Sequence, residues 1–214
     1  MRLHRREEDH YYARRPKSKP RLALIRTHLR GHPFEFMTSS SVFSKKRVDS
    51  GTRLLIEAMT LPQRGDLLDL GCGYGPVGIA AATFNPNLRV TMIDVNERAV
   101  WLARENVKRN QIHNVEVRRG FLYEPVKNTT FSGIVCNPPI SAGMKVVAAI
   151  IKEAPEHLEQ NGSFQIVVKS KIEGKRLQDE LKTVFGNVNI LDRKGGYRVL
   201  LSKKAKNRVS AISD

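Results

Sequence analysis

From Asp66 onward, short apolar runs that read as strands alternate with longer amphipathic runs that read as helices, and this alternation constrains the fold most. Leu67–Leu70 is a short apolar strand, a glycine-rich turn follows, and Val77–Phe84 has the length and character of a helix. Arg89–Asp94, Val115–Arg119, Gly133–Cys136 and Ser163–Val168 read as the next strands, with helices expected over Glu97–Asn110, Lys145–Leu158 and Gly174–Phe185. Val188–Leu191 and Tyr197–Leu201 close the chain as an antiparallel hairpin through Gly195-Gly196. Strands separated by helices pair in parallel, with the crossovers covering both faces of the sheet. The expected fold class is therefore α/β: a Rossmann-like doubly wound sheet, mostly parallel with an antiparallel closing hairpin. Such sheets bind ligands beyond the carboxyl ends of their strands.

Upstream, Leu22–Arg30 and Pro33–Thr38 are β-type runs around Gly31-His32 and predict a small N-terminal β-hairpin extension. Val48, Leu54, Leu55, Ala58 and Met59 recur at helical spacing and predict a helix ending before Pro62. The organisation expected is a basic flexible arm over 1–20, the hairpin extension over 21–45, the main α/β domain over 46–204 and a tail over 205–214.

A length of 214 residues suits one such domain, and 40% hydrophobic residues suffice for its core. No apolar run approaches the roughly 20 residues of a membrane helix, and Met1–Lys19 has no apolar centre of the secretory kind. Cys72 and Cys136 are too few for a disulfide framework, and the six histidines have no metal-ligand spacing. A cytoplasmic protein without membrane or metal is expected. The net charge of +16 favours a polyanionic partner, and nucleic acid is the commonest. Ten Arg and Lys residues crowd the segment from Arg2 to Arg30, and Arg193–Arg208 repeats the bias.

Three loops carry candidate chemistry. In Asp69-Leu70-Gly71-Cys72-Gly73-Tyr74-Gly75-Pro76, the glycines permit a tight turn and close ligand approach, and Pro76 suits a first helical turn. The helix N-terminus behind it offers free N–H groups to a carboxylate. Gly73–Gly78 also fits the G-x-G-x-x-G pattern of dinucleotide enzymes. The second loop, Asp94-Val95-Asn96, puts an acid where ribose hydroxyls can be accepted, while Asn96 is the better N-cap for the next helix. The third, Asn137-Pro138-Pro139-Ile140, is a rigid turn whose prolines donate no N–H. The Asn137 amide oxygen and Pro138 carbonyl can act there as paired acceptors for a planar amino group. Trp101 is expected to pack rather than to stack on a base.

Asp69–Pro76, Ile93–Ala99 and Asn137–Gly143 resemble the class I methyltransferases that modify exocyclic nitrogens. With Val42–Thr52 and Gly195–Leu201, the likeness narrows to the small-subunit ribosomal RNA guanine-N2 methyltransferases of the RsmC type, in their single-domain form. It runs from about His10 to Lys204 and makes 46–204 a class I methyltransferase domain. The resemblance implies S-adenosyl-L-methionine as cofactor and 16S ribosomal RNA, or a small-subunit assembly intermediate, as partner. It implies cofactor contacts from Asp69, Gly71, Cys72, Gly73, Tyr74, Gly75, Asp94, Val95, Asn96, Gly120, Phe121 and Asn137, with Asn137, Pro138, Pro139 and Ile140 at the reacting amine. The family usually carries an acid at the position of Phe121 that contacts adenine. Either apolar contact replaces it here, or the acid's position is shifted. Ile140 stands where adenine-N6 and glutamine-N5 relatives have an aromatic residue. The alternatives are transfer to protein glutamine or to adenine, a non-catalytic RNA-binding assembly protein, and an NAD-dependent oxidoreductase. The last leaves Asn137–Pro139 without a role.

Overall fold

A computed structural model describes residues 22–39, 47–139, 143–169 and 172–205. The expected arm over 1–20, Ile140 and nearly all of the C-terminal tail lie outside the described residues.

The chain opens with β1 (Leu22–Leu29) and β2 (His32–Ser39), an antiparallel two-stranded sheet closed by the pair Leu29–His32. The turn is Arg30-Gly31, one residue earlier than expected, with φ of 45° and 78°. Two consecutive left-handed residues match the twist of a two-residue hairpin. Arg30 tolerates this while its guanidinium donates to the Glu57 carbonyl at 2.9 Å and lies 5.1 Å from the Phe84 ring centroid. That cation therefore ties the hairpin to the domain.

Next come α1 (Ser50–Ala58), β3 (Gly65–Leu70), α2 (Pro76–Phe84), β4 (Leu88–Asp94), α3 (Glu97–Arg109), β5 (Val115–Arg119) and β6 (Phe131–Cys136). The chain ends with α4 (Met144–Glu153), β7 (Leu158–Lys169), α5 (Ile172–Phe185), β8 (Asn189–Lys194) and β9 (Tyr197–Lys203). The seven-stranded sheet has the order β5-β4-β3-β6-β7-β9-β8. Its first five strands are parallel, and β9 pairs antiparallel with both β7 and β8. This is the Rossmann-like doubly wound sheet with its closing hairpin.

The helix expected over Lys145–Leu158 is shorter. α4 stops at Glu153, and Ala154–His157 is a 3-10 turn. Pro155 cannot supply the N–H of a continuing α-helix, and its ring crowds the preceding turn. Freed by that stop, Leu158 begins β7 five residues before the expected Ser163, opposite Phe131 and across a register shift.

The core lies on both faces of the sheet. On one face α1, α2, α3 and the hairpin pack around Leu67, Val90 and Met92. On the other, α4 and α5 cover Leu68, Leu70, Ile134 and Phe164. The alternation of Leu67 and Leu68 between faces is the period-two geometry of a strand buried on both sides. Trp101, expected to pack, is 43% exposed on α3, whose buried stripe is Ala99, Val100, Leu102, Ala103 and Asn106.

Candidate active site

Strand order reverses between β3 and β6, because the chain runs outward through β4 and β5 before crossing back. The register pairs Leu70 with Cys136 as the last residues of the two strands. The glycine loop and the Asn-Pro-Pro turn therefore leave the sheet side by side, at its topological switch point. Gly71 N and Cys72 N both donate to Ile93 O at 2.9 Å, which holds the start of the loop against the end of β4.

Gly71, Gly73 and Gly75 have φ of 75°, 58° and 92°, a region that side chains disfavour. Gly75 caps α2 in this conformation and Pro76 follows at its first turn. Beneath the loop, Asp69 is buried and its carboxylate accepts from Gly78 N at 2.8 Å. A Cβ on Gly78 would come within 2.3 Å of Met92 Sδ, so only glycine lets α2 sit this low on the sheet. Burial pushes the Asp69 carboxyl up to about 7; the Gly78 hydrogen bond opposes this and the charge of Asp94 adds to it.

Asp94 ends β4 at the cavity wall. Its Oδ2 accepts from Gly73 N and its Oδ1 from Asn96 N, each at 2.8 Å. Burial raises its carboxyl to about 6, against these backbone hydrogen bonds. Each carboxylate oxygen keeps acceptor capacity beyond one bond. Asn96 caps α3, its side chain accepting from Arg98 N and Ala99 N. Burial and the neighbouring carboxylates push the Cys72 thiol up, so it stays protonated and is no nucleophile.

The cavity at this junction has a volume of about 430 Å³. Asp69, Gly71, Cys72, Gly73, Tyr74, Asp94, Asn137 and Pro138 line it. Gly75, Val95, Asn96 and Pro139 stand behind these residues in the same loops, outside the lining. Gly120 N donates to Asp94 O at 3.1 Å, so its loop abuts the end of β4, and Phe121 is 37% exposed there, also outside the lining.

Sequence reasoning missed the opposite wall, formed by Asp49 and Thr52 of α1, Val167–Lys169 at the end of β7, and Tyr197 at the start of β9. Asn137 Nδ2 donates to Thr52 Oγ1 at 2.8 Å, and the Thr52 hydroxyl donates to Asp49. The signal was present, since Val42–Thr52 and Gly195–Leu201 carry part of the family likeness, but nothing in the spacing joined them to the glycine loop.

These features accommodate a nucleoside carrying an amino-acid tail. A Cβ at Gly71 or Gly73 would meet nothing within 4 Å, leaving a backbone cradle open to the cavity. Among the described residues, nothing bonds the buried hydroxyl of Tyr74, a residue that lines the cavity. No three His, Cys, Asp or Glu side chains among the described residues gather into a metal-binding group.

The cavity at the switch point, with its glycine cradle, strand-end acid and Asn-Pro turn, suits S-adenosylmethionine, and a family match over most of the chain makes this protein a class I S-adenosylmethionine-dependent methyltransferase. Residues 33–201 match the methyltransferase small domain, and the chain belongs to that family. It is 41% identical to the uncharacterized protein YbxB of Bacillus subtilis, over 92% of this chain and 98% of that one. It is 35% identical to ribosomal RNA small subunit methyltransferase C of Aeromonas hydrophila, over 76% of this chain and 47% of that one. The chain thus spans about half the length of that curated relative. In fold it is similar to the Thermus thermophilus 16S rRNA N2 G1207 methyltransferase RsmC, solved with AdoMet and guanosine. That likeness has a TM-score of 0.77 at 24% identity and covers 88% of this chain and 52% of the other.

Proposed function

We propose that this protein methylates the exocyclic N2 of a guanine in RNA, with 16S ribosomal RNA or an assembling small subunit as substrate and the cytoplasm as its compartment. The observation that carries the reading is Asn137, fixed by Thr52 where the switch-point cavity meets the Asn-Pro-Pro turn. The likeness to the Thermus thermophilus 16S rRNA N2 G1207 methyltransferase supports the base, and a net charge of +16 supports RNA over a protein glutamine.

Bound S-adenosylmethionine supplies a methyl group activated on a sulfonium. The backbone of the Gly71–Gly75 loop and the N-terminus of α2 would lie against its amino-acid end, and Asp94 would accept from its ribose hydroxyls. A guanine N2 amine is a weak nucleophile because its lone pair is delocalised into the ring. Asn137 Oδ1 and the Pro138 carbonyl accept its two hydrogens, which aligns the nitrogen and stabilises the positive charge that develops on it. The proton leaves afterwards to water, so no histidine base is required. Lys169 and Tyr197 face the incoming nucleotide from the opposite wall, as a cation for phosphate and a ring for the base. A base inside a duplex cannot reach this cavity, so the target is single-stranded or flipped outward. In this reading the arm over 1–20 serves RNA docking, and the hairpin braces the methyltransferase domain.

The test is a single-turnover assay with saturating RNA and labelled cofactor. Asn137→Ala should lower the rate about a hundredfold, the scale for losing one preorganised polar group, with cofactor affinity nearly intact. Wild-type turnover in that variant would overturn the mechanism. Label on adenine or on a protein glutamine would overturn the substrate.

A further inference from the structure

The first turn of α1 forms a cavity wall that neither the glycine loop nor the Asn-Pro-Pro turn requires. We propose that Thr52, itself held by Asp49, is a positioning residue that fixes which end of the Asn137 amide faces the substrate. The inference rests on the reading of Asn137 given above and deepens it.

The two ends of an asparagine amide have nearly the same shape and opposite hydrogen-bonding character, so their orientation is decided by their partners. Asn137 touches Thr52 Oγ1 at 2.8 Å. A hydroxyl has one proton, and the Thr52 proton is directed at the Asp49 carboxylate. A carboxylate only accepts. Thr52 therefore turns a lone pair toward Asn137, and only the Nδ2 end can meet it. The flipped amide would set oxygen against oxygen. With Nδ2 engaged, Oδ1 is the end left for an incoming amino group. The other orientation would present an NH₂ to an NH₂ and repel the substrate.

The chain of donors is built into the element. Asp49 is the N-cap of α1, and its Oδ1 accepts from Gly51 N at 2.9 Å and Thr52 N at 3.2 Å. Thr52 is 4% exposed, and α1 packs on β7 and β9. A Cβ on Gly51 would lie 3.0 Å from Tyr197 Cε1, so this turn sits flush against the ring. The cap that starts the helix thus also sets the polarity of the active-site amide, across 85 residues of sequence between Thr52 and Asn137.

Three variants separate orientation from support. Thr52→Val removes the hydroxyl with little change of shape, and Thr52→Ser keeps it. Asp49→Asn retains an oxygen for the helix cap but offers an NH₂ to Thr52. The Thr52 proton is then released toward Asn137, which favours the flipped amide. Each variant is measured for single-turnover methyl transfer to RNA, for S-adenosylmethionine affinity, for thermal midpoint, and for the Asn137 side-chain amide resonances by NMR. The expected result is a rate at least about tenfold lower for Thr52→Val and Asp49→Asn, the lower end for a preorganised polar contact. Cofactor affinity should be unchanged, the Asp49→Asn midpoint should stay near wild type, and Thr52→Ser should recover most of the rate. The Asn137 amide protons should exchange slowly in wild type and fast in Thr52→Val. Wild-type rates in Thr52→Val or Asp49→Asn would overturn the proposal, as would equal losses in Thr52→Val and Thr52→Ser. Fast amide exchange in the wild type would overturn it independently of any substrate. A wild-type protein that leaves RNA unmethylated but protects that amide would sink the RNA reading and leave the orientation of Asn137 supported.

Discussion

Asp69 and Asp94 lie on neighbouring strands, and both carboxyls are raised by burial, yet they face different partners. Asp69 holds the N-terminal turn of α2, and Asp94 stands at the cavity wall. Folding lifts Asp69 from 3.8 to about 7, so the folded state binds more protons than the unfolded state between those values. Stability from this group is therefore present at the acid end of that window and is lost as pH rises through it. A shift of about three units corresponds to a change on the order of 4 kcal/mol. Asp69→Asn keeps an acceptor for Gly78 N and removes the buried charge. Urea unfolding of the cofactor-free variant should show equal or greater stability at neutral pH and a flatter profile toward acid. A marked loss at neutral pH would show that the ionised carboxylate is itself stabilising. If Asp94 accepts from both ribose hydroxyls, Asp94→Ala should cost about 1.5–3 kcal/mol because the acceptor is ionised, or roughly tenfold and more in affinity. Protonation near pH 6 would weaken that acceptor, so wild-type affinity for S-adenosylmethionine should fall as pH drops through this range. Titration calorimetry of Asp94→Asn should show a weaker and flatter profile, and wild-type affinity in Asp94→Ala would exclude the ribose contact.

The hairpin meets the domain through two asparagines one turn apart, Asn106 of α3 and Asn110, its C-cap. Asn106 Oδ1 accepts from Met37 N at 2.6 Å, while its Nδ2 donates to Met37 O at 2.9 Å and to Tyr74 O at 2.8 Å. Asn110 brackets Glu35 in the same way, at 3.1 and 2.8 Å. The i, i+4 spacing of a helix matches the i, i+2 spacing of a strand edge, so α3 completes the free edge of β2. Asn106→Leu should cost about 2–4 kcal/mol, because Met37 and Tyr74 lose buried partners, and it should loosen the cofactor loop through Tyr74. Chemical denaturation measures the first effect and S-adenosylmethionine affinity the second. An affinity equal to wild type would uncouple hairpin from loop. The strands and the three signature loops were legible in the sequence because each is local: apolar period, glycine at positive φ, proline at a turn. Asn96 as a helix cap was legible for the same reason. What escaped is non-local. The early start of β7 depends on Pro155 ending α4 and on pairing with Phe131. The wall formed by Thr52, Lys169 and Tyr197 exists because β9 returns antiparallel beside β7, with Tyr197 opposite Lys169.

Across the whole molecule, 37 Lys and Arg face 21 Asp and Glu, and part of that excess is committed within the fold. Arg26 pairs with Glu35 at 2.6 Å and Arg30 serves the hairpin, so the crowding of cations near the start of the sequence overstates the charge free for a partner. Among the described residues no helix is long and apolar enough to cross a membrane. If Arg2–Arg21 docks RNA, deleting it should weaken RNA binding and flatten its salt dependence, because fewer counterions are released, with cofactor affinity unchanged. An unaltered salt slope would remove the arm from RNA binding. The proposed substrate amine belongs to a guanine. The most direct measurement is mass mapping of methylated nucleosides in ribosomal RNA from cells with and without this protein. Restoration is by the wild type or by Asn137→Ala. The account predicts one N2-methylguanosine in 16S RNA that disappears without the protein and returns only with the wild type. An unchanged nucleoside map, or loss of a methylated adenine instead, would contradict it.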